Sequence, residues 1–404
     1  MTNSLNGLRV LDMGRVFAAP WCTQLLGDLG ADIIKVERIG RGDEFRHYGP
    51  PFVKDSEGVE TELSAQFAAT NRNKRSITAD ITKPGAQEII RRLAAVCDIA
   101  VENFKVGDLK RYGLDYESLK RENADLIYCS ITGFGQDGPY AERPAYDTVF
   151  QCMSGIMSVT GAVDGPPQKV GTIIFDLIAG LYAANAIQAA VRHREVSGGG
   201  GQYIDLAMID VSVATMSQRA MEYLCGGHLP QRLGNGSLGS APAQLFDCKE
   251  GYIDVQAGQD QDFRALCNVL GRPELKDDPR FTIRANRFRN RVALSAILEP
   301  IFLTRTSSEW YEILVAGKIV ASPVYTMDQT FNDPQVLHRQ IRRDLDHPKV
   351  GKLPFIANPI RMSETPIEVY RRPPDLGEHT DEVLTDLLGY SADEIADLRS
   401  VGAI

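Results

Sequence analysis

The chain has 404 residues, a length that suits two or three domains of ordinary size. Hydrophobic residues make up 43% of it and charged residues 24%, as in soluble globular proteins, and no continuous apolar run approaches the about 18–20 residues that a membrane span needs. The net charge of −9 disfavours a nucleic-acid partner, because nucleic-acid phosphates would be repelled by the average field.

Cysteine and histidine usage indicates neither a metal site nor a disulfide framework. The seven cysteines are scattered and form no CxxC pair, which favours reduced thiols. The six histidines show no HExxH-type spacing. The first seven residues carry neither a basic-then-apolar signal pattern nor an Arg-rich amphipathic stretch. We therefore expect a cytoplasmic protein with no metal and no membrane partner.

Apolar strands alternate with helix-like segments in the first third of the chain. A helix is predicted between Pro20 and Gly30, and another over residues 83–97, where apolar residues recur on one face. The predicted strands cover residues 8–12, 33–37, 76–81, 99–102 and 126–132. This alternation predicts an α/β fold with a parallel sheet and helices on both of its faces.

Ligands of parallel sheets bind at the carboxyl ends of the strands, so the segments that follow the predicted strands are candidate site segments. Polar or glycine-bearing residues occur there at 14–17, 37–38, 102–105 and 133–138. Neither a GxGxxG fingerprint nor a GxxxxGK[ST] loop is present, which argues against a dinucleotide or a P-loop site. Arg38 follows the second strand and could pair with a phosphate, or it could be an ordinary solvated surface residue.

The second half of the chain changes its pattern. A long helix is predicted over residues 176–193, and a strand over 203–207 leads into a helix that ends near Leu224. A hairpin (244–247 and 252–256) and helices around 263–270, 292–302 and 308–316 indicate a second, smaller α+β domain. We therefore expect a large domain over residues 1–224, to which residues 330–404 return, and a small domain with its linkers over 225–329.

Two aspartates precede predicted helices. Asp176 opens the long apolar helix, and Asp147 comes just before a helix near residues 149–157. An acid in this position is usually a helix cap. An acid that also faces a cleft could act as a nucleophile, because an ionised carboxylate needs no general base to attack a thioester.

Several linked segments give the chain a family resemblance over essentially its whole length. They are LNGLRVLD (5–12), LGDLGA (26–31), IKVER (34–38), NKRSI (73–77), VENF (101–104), SITGFG (130–135), Asp176 with GLYAA (180–184), and LGEHT (376–380). In this order they resemble the class III CoA-transferases, which include formyl-CoA:oxalate, carnitine and succinyl-CoA:glutarate CoA-transferases. The segments GPPF (49–52), CSITG (129–133) and PQVLH (334–338) are most similar to the succinyl-CoA:dicarboxylate branch.

The resemblance implies roles for the residues that match. Asp176 falls on the family's aspartate nucleophile, and Asp147 on an acid beside the active site. Phe17 stands where the formyl-CoA enzyme has a glutamine, which argues against formate or oxalate as substrates. Gly234 and Gly236 lie in the place of a mobile glycine loop that covers the site in some members. The residues that match CoA contacts are Val16, Arg38, Ala79, Asp80, Asn103, Phe104 and Arg111.

The implied protein is a Rossmann-like, interlocked homodimer that moves CoA from an acyl-CoA, with succinyl-CoA expected, to a carboxylic acid, with a dicarboxylate expected. CoA thioesters are its substrates, and no permanently bound cofactor is expected. Two alternatives stay open. One is an α-methylacyl-CoA racemase, although the racemases carry a histidine where this chain has Tyr146. The other is a CoA-binding protein without catalysis.

Overall fold

The structure is a computed structural model, and it describes residues 3–404. The chain forms two compact units. The large unit contains the described residues up to Gly155, then Val170–Met221 and Arg339–Ile404, and the small unit contains Ile156–Lys169 and Glu222–His338.

Strands and helices follow one another along both units. The strands are β1 (Arg9–Asp12), β2 (Asp32–Glu37), β3 (Phe52–Lys54), β4 (Glu60–Ser64), β5 (Lys74–Thr78), β6 (Ile99–Glu102), β7 (Ile127–Thr132), β8 (Tyr203–Ala207), β9 (Ala243–Asp247), β10 (Tyr252–Gln256), β11 (Val320–Pro323), β12 (Arg342–His347) and β13 (Gly351–Ile356). The α-helices are α1 (Ala18–Asp28), α2 (Ala65–Thr70), α3 (Pro84–Val96), α4 (Tyr116–Glu122), α5 (Asp147–Met153), α6 (Ile156–Val159), α7 (Ile174–Ser197), α8 (Met208–Thr215), α9 (Ser217–Gly226), α10 (Asp260–Val269), α11 (Arg284–Arg289), α12 (Arg291–Phe302), α13 (Ser307–Ala316), α14 (Met327–Asn332), α15 (Pro334–Arg339), α16 (Thr380–Asp386) and α17 (Ala392–Ser400).

A six-stranded parallel sheet organises the large unit, which confirms the predicted α/β class. Its strand order is β5-β2-β1-β6-β7-β8. Every residue of β6 and β7 is buried, as expected of strands that are covered on both faces. The chain runs outward from β1 to β2 and β5, and then returns to place β6 on the other side of β1. A crevice is therefore expected between the carboxyl ends of β1 and β6.

The helices of the large unit bury their apolar faces against this sheet. The α3 helix begins with Pro84 and packs Ile89, Ile90 and Leu93 into the core. The end of the chain also belongs to this core, because α16 packs on β5 and Ala403 accepts a hydrogen bond from the Asp80 amide at 3.0 Å. The return of the C-terminal segment therefore supports the strand ends around Asp80.

The α7 helix is long and apolar enough to cross a membrane by length and composition alone, although the sequence contains no continuous apolar run of that length. Helices at the centre of globular folds meet the same criterion. In the large unit α7 packs against α1, α5, α8 and β7, and 44% of its most apolar stretch is buried.

The small unit has its own sheet and core. Its antiparallel sheet has the order β11-β10-β9, and the β9–β10 pair agrees with the predicted hairpin. Arg287 is fully buried beneath this sheet, where its guanidinium donates to three backbone carbonyls and to Asp260 at 2.7 Å. A buried cation with this many acceptors fixes the loops around it.

Several strands differ from the sequence-based expectation. The third parallel strand is Lys74–Thr78 and not residues 76–81, because its first two residues are cations that pair with Asp12 and Asp32. A search of the sequence for apolar runs does not include charged residues of this kind in a strand. The pairs β3–β4 and β12–β13 and the added strand β11 were also not predicted, since they are short and carry many polar residues.

Candidate active site

A cavity of about 480 Å³ opens in the large unit at the expected crevice. Its wall is built from the segments that follow β1, β2, β5 and β6, so four strand ends contribute to it. The lining residues range from Met13 after β1 to Tyr112 after β6. The cationic side chains that line it are those of Arg15, Lys35, Arg38, Arg41 and Arg111. The lining also includes the acids Glu37, Asp43, Glu44, Asp80 and Asp108, so the charge available to an anionic ligand is that of the guanidinium groups without a close carboxylate.

Most of the residues that the resemblance assigns to CoA lie together in this cavity. Its lining includes Arg38, Ala79, Asp80, Phe104 and Arg111. The four segments that supply them are far apart in the sequence, and parallel pairing of β2, β5 and β6 with their neighbours brings their ends to one edge.

The guanidinium groups of the cavity differ in their partners. Arg111 pairs with Asp108, and Arg15 lies 3.5 Å from Glu44. Within residues 3–404, no carboxylate oxygen lies within 4.0 Å of a guanidinium nitrogen of Arg38 or Arg41. These two cations keep their charge available for a ligand.

Asp80 adds a carboxylate to the same wall. A hydrogen bond from the Thr82 hydroxyl, 2.7 Å long, lowers the pKa of Asp80, and the nearby charges of Lys83 and Arg38 act in the same direction. Asp80 is therefore ionised at neutral pH, and it fits a hydrogen-bond donor of the ligand better than a phosphate.

The remaining two predicted CoA contacts, Val16 and Asn103, lie beside the cavity. The Asn103 side chain accepts from the Arg15 amide at 2.9 Å and donates to the Arg15 carbonyl at 2.8 Å. Its polar atoms are thus bound to the backbone after β1. Val16 has a φ of +66°, a left-handed conformation that is uncommon for a β-branched residue.

Asp176 lies in the first turn of α7. Ile173 is the N-cap residue and has no capping side chain, so Asp176 is the third residue of the helix and not its cap. Burial raises the pKa of Asp176 to about 7, and the negative charge of Asp147 adds to this effect. At neutral pH the Asp176 carboxyl group is therefore protonated in some molecules and ionised in others.

Asp147 takes the place of the missing cap. This buried carboxylate accepts from the amide of Phe175 at 2.7 Å and from that of Asp176 at 3.4 Å. One turn later on α5, Gln151 donates to Asp147 at 2.5 Å and accepts from the Val170 amide at 2.8 Å. Two side chains of α5 thus fix the backbone that presents Asp176.

An aromatic cluster borders Asp176 on its apolar side. Phe17, Phe45 and Phe67 are buried together, and Ile173 and Leu177 pack against them. Phe17 also lies 6.2 Å from the Trp21 ring, measured between ring centroids. One side of the turn that carries Asp176 therefore packs on aromatic rings.

The other predicted site residues have different positions. Tyr146 precedes α5 as its N-cap residue, and its side chain is 77% exposed. Gly234 and Gly236 belong to an exposed loop of the small unit, in which Gly234 has a φ of +57°. Their part in the site remains a prediction from the resemblance.

Sequence reasoning missed Lys35, Asp43 and Gln151. A lysine inside the apolar strand 33–37 was a usable signal, because an unpaired lysine is almost never fully buried. The role of Gln151 depends on contacts with a segment about 20 residues away and has no local signature. Over the described range 3–404, no group of three His, Cys, Asp or Glu side chains is placed to hold a metal ion.

Comparisons with known proteins agree with this arrangement. The sequence profile of CoA-transferase family III matches residues 5–380. A succinate–glutarate CoA-transferase of Agrobacterium fabrum is 42% identical over 383 residues, which are 95% of this chain and 95% of that protein. A succinyl-CoA:glutarate CoA-transferase of Homo sapiens is 40% identical over 400 residues, 99% of this chain and 90% of that one. The crystal structure of a CAIB/BAIF family protein from Brucella suis has a TM-score of 0.87 at 42% identity and covers 96% of this chain and 100% of that chain.

The family match and the full-length relatives cover both the cavity segments and Asp176. The resemblance inferred from the motifs is therefore confirmed at the level of the family. The chain belongs to CoA-transferase family III, and it is a CoA-transferase.

Proposed function

We propose that the protein transfers CoA from succinyl-CoA to a dicarboxylate through a thioester on Asp176. The observation that carries this proposal is the setting of Asp176. Its carboxyl group lies in the first turn of α7, its amide is tied to Asp147, and its pKa of about 7 keeps an ionised fraction at neutral pH. An ionised carboxylate in an apolar setting can attack a thioester without a general base.

The proposed reaction has four steps. An Asp176 oxygen attacks the succinyl carbonyl carbon and the C–S bond breaks, which gives a mixed anhydride and the CoA thiolate. The thiolate attacks the Asp176 carbonyl carbon and releases succinate, leaving aspartyl-CoA. The acceptor carboxylate attacks that thioester and expels the thiolate. The thiolate then attacks the acceptor carbonyl, which forms the new acyl-CoA and restores Asp176. No proton, oxidant or permanently bound cofactor is consumed.

The nucleotide part of CoA is assigned to the cavity of the large unit. Arg38 and Arg111 would pair with phosphates, because a guanidinium group matches phosphate geometry, and Phe104 would offer an aromatic face. Ala79 and Asp80 would border the nucleotide. Val16 and Asn103 shape the neighbouring loop. Phe17, Tyr146 and Asp147 are proposed to line the acyl site.

The substrate class follows from the relatives. The two curated relatives described above act, by name, between succinate or succinyl-CoA and glutarate. Their 40–42% identity over nearly the whole chain supports the same donor and an acceptor of the dicarboxylate class. We further propose a cytoplasmic location and, from the family resemblance, an interlocked homodimer. The exposed apolar side chains on α7 and α8 support a contact with a second copy of the chain.

Chemical trapping tests the covalent step. Incubation with succinyl-CoA and hydroxylamine should convert residue 176 to a hydroxamate, which peptide mass spectrometry detects. Asp176→Ala should retain the fold, and its turnover rate should be at least about 10³-fold lower, because the carboxylate that carries the CoA is gone. Asp176→Asn should be nearly as inactive, since an amide is a weak nucleophile. Near-normal turnover by the Ala variant would refute the proposal.

A further inference from the structure

The β1–α1 loop, residues 13–17, holds Val16 in a conformation that its side chain disfavours. Val16 has a φ of +66°, and its branched Cβ crowds the backbone there. Such a residue persists only where the surrounding structure over-determines it. The contacts that hold it therefore indicate what this loop is built to do.

Side chains from three other segments bind four polar backbone groups of the β1–α1 loop. The Gly14 carbonyl accepts from Lys35 Nζ at 2.7 Å, and the Val16 amide donates to Asp43 Oδ1 at 3.1 Å. The Arg15 amide and carbonyl are both bound by Asn103. The backbone is thus held from the Gly14 carbonyl to the Val16 amide.

Lys35 and Asp43 form one unit within this arrangement. Lys35 Nζ lies 2.9 Å from Asp43 Oδ2, and both side chains are fully buried. Glu37 accepts from the Asp43 amide at 3.0 Å, which fixes the position of the aspartate. Burying two charges is costly, and an apolar pair of the same size is often as stable. Stability alone therefore does not explain the presence of this pair.

We propose that the Lys35–Asp43 ion pair is a positioning device for CoA transfer, which clamps the β1–α1 loop in its left-handed conformation between the cavity and Asp176. This inference rests on the proposed function. The β1–α1 loop contacts both the cavity and the residues that flank Asp176. Gly14 and Arg15 line the cavity. Phe17 belongs to the aromatic cluster, and Val16, Ile173 and Leu177 pack against that cluster, the last two on either side of Asp176 along the chain.

Asp43→Asn removes the clamp with little change in shape. The Asp43 carboxylate accepts from Val16 and Phe45 at one oxygen and from Lys35 at the other. An amide has one acceptor oxygen, so its NH₂ group must face either the Lys35 ammonium or the backbone amides. One of the two contacts is therefore lost, whichever way the amide turns.

Asp28→Asn is the matched control, because Asp28 is another buried aspartate in a short ion pair. It accepts from Arg72 at 2.6 and 2.8 Å and lies at the far end of α1 from the loop. Both variants remove one buried carboxylate charge and should lower the stability of the fold. A purely structural role for Asp43 predicts the same kinetic outcome for the two variants.

The experiment measures kcat/KM for succinyl-CoA at a temperature at which circular dichroism shows each variant to be folded. We expect Asp43→Asn to lower it at least about tenfold and Asp28→Asn to change it by no more than about twofold. If Asp43→Asn does not fold, the double variant Lys35→Met/Asp43→Leu replaces it, since removing both charges leaves neither unpaired. The same loss is expected of that variant.

Val16→Gly provides a rescue test, because glycine adopts a φ of +66° without strain. The loss caused by Asp43→Asn should be at least about threefold smaller in the Val16→Gly background than in the wild type. Equal effects of Asp43→Asn and Asp28→Asn, or an unchanged loss in the Val16→Gly background, would overturn the inference while wild-type transfer upholds the proposed function. A wild-type protein that transfers no CoA would overturn both.

Discussion

The carboxyl group of Asp176 must be ionised to attack a thioester, yet its surroundings favour the protonated form. Burial is the larger cause of its pKa of about 7, and the charge of Asp147 is the smaller one. An ordinary aspartate is fully ionised in the neutral range. The reaction rate should therefore depend on pH where most aspartate nucleophiles would be insensitive to it.

The pH dependence of turnover is the first prediction at this scale. We expect kcat/KM for succinyl-CoA to fall about tenfold for each pH unit below pH 7, because only the ionised form of Asp176 attacks. This decrease of kcat/KM toward low pH is the acid limb of the rate profile. Asp147→Asn removes the neighbouring negative charge and should move the acid limb to lower pH. It should not abolish the limb, since Asp176 remains buried. Rate profiles of the two proteins over the same pH range provide the measurement.

Asp98→Asn is a suitable control for this shift. Asp98 pairs with Arg194, which lies 18 residues along α7 from Asp176, or roughly 27 Å at the rise of an α-helix. Its charge should not reach Asp176 at ordinary ionic strength, so the acid limb should stay in place. An acid limb that also stays in place in Asp147→Asn would contradict the assigned electrostatic role.

Binding of the nucleotide gives a second prediction for a single residue. Arg38→Ala should weaken acyl-CoA binding by roughly 1–3 kcal/mol, because Arg38 lines the cavity and pairs with no carboxylate among the described residues. The KM of the acceptor acid should hardly change. Arg121→Ala, on the exposed part of α4, is the matched control and should leave binding unaltered. Unchanged acyl-CoA affinity of Arg38→Ala in calorimetry would exclude the assigned contact.

The residue scale also shows where prediction from the sequence ends. The motif order predicts that Asp176, Arg38 and Phe104 act together, and the latter two do line one cavity. The raised pKa of Asp176 has no sequence signal, because it arises from burial and from a carboxylate 29 residues away. Asp147 looks like the cap of its own helix in the sequence, whereas its carboxylate caps α7.

At the scale of the elements, the position of α7 depends on its close approach to α1. Gly180 lies at this contact. A Cβ atom there would lie 2.8 Å from the Ala18 carbonyl oxygen and 2.7 Å from a Trp21 ring carbon. The Ala18 carbonyl oxygen belongs to the backbone, which cannot move aside as a flexible side chain can. Only glycine therefore allows α7, which carries Asp176, to lie this close to the start of α1.

Gly180→Ala should thus destabilise the protein although alanine is the better helix former. We expect a loss of roughly 1–3 kcal/mol in the free energy of unfolding, since overpacking outweighs the helix propensity gained. Gly226→Ala, at the end of α9, is the control because a Cβ atom there would lie in ordinary contact, 3.6 Å from a His228 ring carbon. Its stability should stay within about 1 kcal/mol of the wild type. Equal stabilities of the two variants in urea unfolding would contradict this interpretation.

The predicted elements succeed or fail for identifiable reasons. Buried parallel strands such as β6 and β7 consist of apolar residues and are visible in the sequence. The β5 strand is displaced from its predicted position because Lys74 and Arg75 are neutralised by aspartates on other strands. The segment 156–169 packs with the small unit although the large unit surrounds it in the sequence. Periodicity describes single elements and contains no information on such long-range packing.

At the scale of the whole molecule, the large unit presents an apolar surface that its own chain leaves uncovered. Leu181 and Tyr182 of α7 are 53% and 44% exposed, and Val213 of α8 is 50% exposed. Large apolar side chains that are exposed on two helices packed against each other are candidates for a protein–protein contact. The proposed interlocked homodimer would cover them with a second copy of the chain.

An interlocked dimer differs from an ordinary one in how it dissociates. We expect sedimentation to show a single species of twice the chain mass of 44.5 kDa, with no folded monomer on dilution. Tagged and untagged dimers mixed under native conditions should not exchange subunits, because separation of threaded chains requires unfolding. Exchange should begin only at denaturant concentrations that unfold the chain. Leu181→Asp should impair assembly, whereas Val292→Asp, at a 77% exposed position of the small unit, should not. Rapid exchange between folded dimers would rule out the interlocked arrangement but leave an ordinary dimer intact, and a folded monomer would rule out both.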